Sequence, residues 1–182
     1  MDAGVLVSVE LVNTLAIEWA GGKREAGGDP MGALQQLLAV DPPSVARLRE
    51  SDVPEFVALA KSLRGIFANV SDGDIDTAAA RLNLLLARHP AHPYLAKEHG
   101  RWRLHHHAVD AALVAMWTSI CAEGLARTIG GGYSDRLGTC NATRCDRVYV
   151  DLSKNTSRRF CSTACQNRMK AAAFRSRHVA AG

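Results

Sequence analysis

Apolar positions recur at helical intervals through most of the first 130 residues, and this predicts a mainly α-helical N-terminal domain. Val9 to Trp19 places Leu11, Leu15 and Trp19 on one stripe. Asp29-Pro30 reads as an N-cap followed by proline at the first helical position, and Met31, Leu34, Leu37 and Leu38 line one face of the helix it opens. Pro54 opens a stronger helix, in which Phe56, Leu59, Ala60, Leu63, Ile66, Phe67 and Val70 follow clean three- and four-residue spacing. Ser71-Asp72-Gly73-Asp74 ends that helix and starts another, striped by Ile75, Ala78, Ala79, Leu82, Leu85 and Leu86 and closed by His89-Pro90.

From Tyr94 to His106 the pattern changes. Tyr94, Trp102 and Leu104 alternate with polar residues around Glu98-His99-Gly100, which predicts a small β-hairpin. Ala108 to Thr128 returns to helix, and the breadth of its apolar face (Val109, Ala112, Leu113, Met116, Trp117, Ile120, Leu125) marks a central helix. Cys121 stands alone on it and reads as a small buried hydrophobe. Gly130-Gly131-Gly132 reads as a linker, dividing the chain into a helical domain, 1–132, and a C-terminal module, 133–182. There is no internal repeat and no low-complexity tract.

The module carries the chemistry. Cys140 and Cys145, then Cys161 and Cys165, form two close pairs separated by fifteen residues. That spacing suits a tetrahedral Zn2+ site, each pair reaching the metal from one local turn. Arg147 to Leu152 alternates as a first strand, Ser153-Lys154-Asn155-Thr156 is turn chemistry, and Ser157 to Cys161 is expected to return as a second strand. Ser162-Thr163 can cap a helix running from near Cys165 to about Arg177. The predicted architecture is therefore a mainly α domain with a small β-hairpin, followed by a treble-clef-like zinc finger of hairpin and helix. Four thiolates fill the coordination sphere, so one structural Zn2+ is expected, and its binding is also folding energy for so short a segment.

Charge sharpens this picture. The 182-residue chain has a net charge of +4, but nine basic and only two acidic residues lie from Cys140 onward. A basic end on a slightly acidic body is the footprint of a protein that seats one end on phosphates. Along the last helix, Cys165, Met169 and Ala172 share the face toward the metal. Arg168 and Arg175 lie on one flank, and Lys170 and Arg177 on the other. Phe174 points away from the metal and is expected to pack against the N-terminal domain or a second subunit, with a base-stacking or wedge role as the alternative.

Other classes find less support. No apolar stretch has the length of a membrane span, and the start of the chain lacks the basic region of a signal peptide, so a cytoplasmic protein is expected. His105-His106-His107 are consecutive and cannot all reach one ion. Asp110 and Glu123 read as helix solvation, and Trp19, Trp102 and Trp117 as core. With no Gly-rich phosphate loop, nucleophile elbow or acid–base pair, the expectation is that the protein is not an enzyme.

Asp151-Leu152-Ser153-Lys154-Asn155, Ser157-Arg158-Arg159-Phe160-Cys161-Ser162 and Cys165-Gln166-Asn167-Arg168-Met169-Lys170 together closely resemble the CGNR zinc finger. Val12-Asn13-Thr14-Leu15 resembles an element near the start of ABATE, the domain that precedes this finger in that family. Here Gln166 stands where the signature has glycine, and the last cysteine pair is one residue tighter. The resemblance implies a stress-linked bacterial transcription regulator whose finger contacts duplex DNA through Lys154, Arg158, Arg159, Asn167, Arg168, Lys170, Arg175 and Arg177. Asn167 could read a base or brace the turn. The N-terminal domain would sense a signal, such as a small-molecule effector, or form a homodimer. The alternatives are an RNA-binding or protein-interaction module, and a small-molecule-binding or enzymatic N-terminal domain.

Overall fold

The computed structural model describes residues 3–90, 92–98 and 100–179. Its core is a bundle of α1 (Ala3–Leu15), α4 (Val53–Ser71), α5 (Ile75–Arg88) and α6 (Leu113–Gly130), with α2 (Pro30–Leu37) and α3 (Pro42–Arg47) bracing one side. Three two-stranded antiparallel ribbons complete the fold: β1–β2 (Trp19–Ala20, Lys23–Arg24), β3–β4 (Tyr94–Glu98, Arg101–His105) and β5–β6 (Leu137–Thr139, Val148–Val150). The last helix is α7 (Thr163–Val179). The expected mainly helical domain, small hairpin and cysteine-bearing C-terminal region are all present. His99, expected in the turn between β3 and β4, lies outside the described residues, as do Met1 and Asp2.

Local signals hold where side chains complete them. The Asp29 carboxylate accepts from the Met31 and Gly32 amides, both at 3.0 Å, and Asp74 accepts from the Thr77 amide at 3.1 Å. Every apolar residue of the predicted stripe on α4 is buried. Cys121 is fully buried on α6.

Two boundaries, the end of α1 and the start of α6, move for a tertiary reason. α1 begins at Ala3 and ends at Leu15, so Trp19 leaves the helical stripe and enters β1. The Glu18 and Trp19 amides turn outward to the Asp146 carboxylate, both at 2.9 Å, rather than continuing the helical ladder. α6 begins at Leu113 rather than Ala108, and Val109 is 77% exposed. There, Arg47 draws the Ala111 carbonyl into a 2.6 Å hydrogen bond. The tryptophans diverge as well. Trp117 is core and donates to Ser44 Oγ at 3.0 Å, Trp19 is half-buried beneath Arg144, and Trp102 is exposed.

The glycine triplet caps α6. The Gly131 amide bonds to the Arg127 carbonyl at 2.9 Å and the Tyr133 amide to Thr128 at 2.9 Å, with Gly132 at φ +78°. The chain then passes through a single 3-10 turn, Ser134–Arg136, into β5. Leu137, Val148 and Val150 from β5–β6 belong to the same buried cluster as the helices. Gly138 lies against Tyr149, whose ring would have to shift to admit a Cβ, since that atom would come within 2.7 Å of it.

Of the three consecutive histidines, His106 pairs with Glu123 at 2.9 Å, while His105 stacks on Tyr94 and His107 meets both rings edge-on. Glu123 also pairs with Arg127, so it is a half-buried bracing group rather than a solvated one.

Candidate metal centre and its basic helix

β5 delivers Cys140 into a tight turn, 140–145, which the Cys140 amide closes on the Arg147 carbonyl at 2.8 Å. Arg144 takes the left-handed conformation at φ +53° to bring Cys145 round. The strand expected at Ser157 to Cys161 does not form. β6 pairs with β5 instead, in the register Leu137↔Val150. The reason is Asp151. It is only 2% exposed, and its carboxylate accepts from the Ser153 amide at 2.8 Å and the Arg158 amide at 2.7 Å. Those bonds fold residues 151–160 into a compact loop, consuming groups a second strand would have needed. The loop returns Cys161 beside Cys140, and Ser162 Oγ caps α7 by accepting from the Cys165 amide at 3.3 Å.

The four sulfurs lie within 4.8 Å of one another, and the Cys145–Cys161, Cys161–Cys165 and Cys165–Cys145 separations are each 3.7 Å. A tetrahedron with Zn–S bonds of about 2.3 Å has an edge of about 3.8 Å, so this donor set fits one Zn2+. Burial pushes the Cys140 and Cys161 thiols up, and for Cys161 the neighbouring sulfurs add to it. Burial acts the same way on Cys165, but hydrogen bonds from Cys161 and Ser162 outweigh it and bring that thiol down. Four thiolates cannot coexist there without a cation, and a dication supplies the missing charge. With all four positions taken by protein sulfur, the site is structural.

The eight residues expected on the nucleic-acid face divide into two groups. Two are engaged by hydrogen bonds within the finger, although the Arg158 side chain is also exposed. Arg158 donates to the carbonyls of Phe160 (2.9 Å), Val150 (3.1 Å) and Cys161, and its guanidinium lies over the Tyr149 ring. Arg168 reaches from α7 back to the first turn, donating to the Thr143 carbonyl at 2.6 Å. It packs against Gly22, where even a Cβ would come within 3.1 Å of the guanidinium. The other six, Lys154, Arg159, Asn167, Lys170, Arg175 and Arg177, are exposed. Gln166 is also exposed, within the first turns of α7, where any good helix former fits. Phe174 is 57% exposed on α7.

Three groups that join the finger to the helical body were not picked out individually from the sequence. Asn13 makes a two-point clamp on β6, donating to the Val148 carbonyl at 3.0 Å and accepting from its amide at 2.8 Å. Asp146 receives the two amides of the β1 segment and an ion pair from Arg64 at 3.1 Å. The Gly22 amide bonds to the Arg144 carbonyl at 2.9 Å, and Arg144 lies over Trp19. The available signals were a polar residue within an apolar helix and an acidic residue directly after a ligand, both weak alone.

Asp151 also gives a pH expectation. Burial acts to raise its pKa, but the Ser153 and Arg158 hydrogen bonds and the Arg158 charge outweigh it and hold the carboxyl below its ordinary value. Its stabilisation is therefore fully present above the unfolded value near 3.9 and is lost as the pH falls through the folded one. Zinc thiolates take up protons before that range is reached. Asp151→Asn is thus expected to cost about 1–3 kcal/mol by a constant amount from neutral pH down to zinc release. Urea unfolding at a series of pH values checks this, and a difference that varies with pH in that window would contradict it.

Fold and site together define a zinc-binding protein in which a helical domain carries a structural four-cysteine finger. Family comparison places it further. Residues 7–132 match ABATE, described as "Putative stress-induced transcription regulator", and residues 136–178 match the CGNR zinc finger. The chain belongs to the ABATE family, with a CGNR finger at its C-terminal end. No curated protein matches the chain.

Proposed function

We propose that this protein is a DNA-binding transcription regulator whose finger, the unit from residue 133 onward, seats α7 on duplex DNA. The observation that carries the reading is the division among the arginines and lysines of the finger. Arg158 and Arg168 build the scaffold, which leaves Lys154, Arg159, Lys170, Arg175 and Arg177 exposed around one zinc-held helix. Phosphates recognise such a surface without any chemistry at the metal. A closed four-thiolate site and the absence of an acid–base pair in the sequence support a non-enzymatic role. The family description supports regulation. The working location is then the cytoplasm, on the nucleoid.

The N-terminal domain, residues 1–132, would bring a signal to the finger or join two copies. A groove of about 810 Å3 between α4 and the first cysteine turn suits the first role. It is lined by Lys61, Arg64 and Asp146 and reaches Cys140 and Cys145, so an effector held there would touch both parts.

Salt titration of duplex affinity tests the reading. With about five phosphates neutralised, log K should fall against log salt with a slope of about −4.5. Replacing Lys170, Arg175 and Arg177 with alanine is expected to reduce that slope to about −2 and weaken binding at least tenfold, with zinc content unchanged. Arg168→Ala should instead lower thermal stability. Retained duplex affinity in the triple variant would overturn the assignment, and tighter binding to structured RNA or single strands at matched salt would replace DNA as the partner.

A further inference from the structure

The β3–β4 ribbon has its apolar face turned outward. Cross-strand partners share a face, so Leu95, Lys97, Trp102 and Leu104 lie on one side, and Tyr94, Ala96, Arg103 and His105 on the other. The second side is the more covered one, with Tyr94, Ala96 and His105 half-buried and two of their rings stacked at 5.0 Å. On the first side Leu95 is 63%, Trp102 68% and Leu104 53% exposed. A two-stranded ribbon is marginal in water unless it gains a further strand or a packed face. Among the described residues no third strand joins it.

We propose that this outward face is a homodimer interface, covered by the same face of a second copy. The exposed parts of Leu95, Lys97, Trp102 and Leu104 amount to on the order of 450 Å2 per protomer, or about 900 Å2 for a two-fold pair, close to the lower bound for a specific interface. The face is self-complementary in chemistry: three large apolar groups with one charge, Lys97, at their edge. An antiparallel ribbon laid on its own copy about a two-fold axis sets like groups together, as an isologous contact requires. This deepens the reading that the N-terminal domain joins two copies. It also provides the two fingers that a half-site arrangement on DNA needs.

Sedimentation equilibrium of the zinc-loaded full chain across the micromolar range tests it. The wild type should be a dimer that dissociates on dilution, with a red shift of Trp102 emission that a Trp102→Phe variant lacks. Trp102→Glu and, separately, Leu95→Lys should be monomeric, with zinc content and helical circular dichroism unchanged. Leu84→Glu, at an exposed leucine on α5, should remain dimeric. A monomeric wild type, or a dimer that persists in both face variants or is lost with Leu84→Glu, overturns the proposal. A monomer that still binds duplex would sink the interface and leave the DNA reading standing, and a dimer that binds no duplex would do the reverse.

Discussion

Cys165→Ser is expected to abolish zinc retention and to lower the stability of the whole chain, not of its C-terminal segment alone. Cys165 is the most buried of the four ligands, at 2% exposed. Structural zinc contributes about 10–16 kcal/mol of apparent folding energy in finger peptides, as much as the entire stability of an ordinary domain. Among the described residues, the small cluster around the cysteines offers only Ala142, Phe160 and Met169 besides the ligands, which cannot replace that contribution. The loss then spreads inward. Leu137, Val148 and Val150 lie in the main core, so releasing the finger strips cover from α1 and α4. Calorimetry should show one transition for the zinc-loaded protein. Chelation or Cys165→Ser should shift it to a clearly lower temperature, with loss of the helical signal of α7. A helical body whose transition is unmoved by zinc removal would contradict this coupling.

Asn13→Ala should cost about 2–4 kcal/mol, because it leaves both the amide and the carbonyl of Val148 without their partner at a half-buried strand edge. Val148 faces Thr139 across β5–β6, yet its own hydrogen-bonding groups point the other way, to Asn13. The side-chain amide thus takes the place of a neighbouring strand. Asn13→Asp should rescue little, since a carboxylate accepts from the Val148 amide but repels its carbonyl. Urea unfolding measures the loss, and zinc affinity should fall with it, because β6 leads directly from Cys145. If Asn13→Ala weakened zinc binding with no change in unfolding, the clamp would be acting on the metal site alone.

Most of the helical architecture was legible because it is written in local terms. The stripe of α4 and the aspartate caps of α2 and α5 need only their own residues to be recognised. The metal site was legible for a similar reason: four sulfurs with short spacings permit few arrangements. What could not be read was any feature whose partner lies far along the chain. Leu15 ends α1 because Asp146, more than a hundred residues on, takes the next free amides. The strand expected at Ser157 to Cys161 is pre-empted by Asp151, whose buried carboxylate converts that stretch into a loop and leaves β6 to pair with β5.

The basic residues show the division most clearly. By itself the sequence determined that a positively charged helix would follow a four-cysteine site, since charge and ligand spacing are counts along a line. Only the tertiary structure decided which of those charges remain available. Arg158 and Arg168 sit within reach of unpaired carbonyls, and a guanidinium with five donors satisfies them at little cost. Arg175 and Arg177, about two and two and a half turns further out on α7, meet no such acceptors among the described residues and stay in solvent. The same holds for the ribbon β3–β4: alternation predicted its strands, but which face would be left open depended on where Tyr94 and His105 found cover.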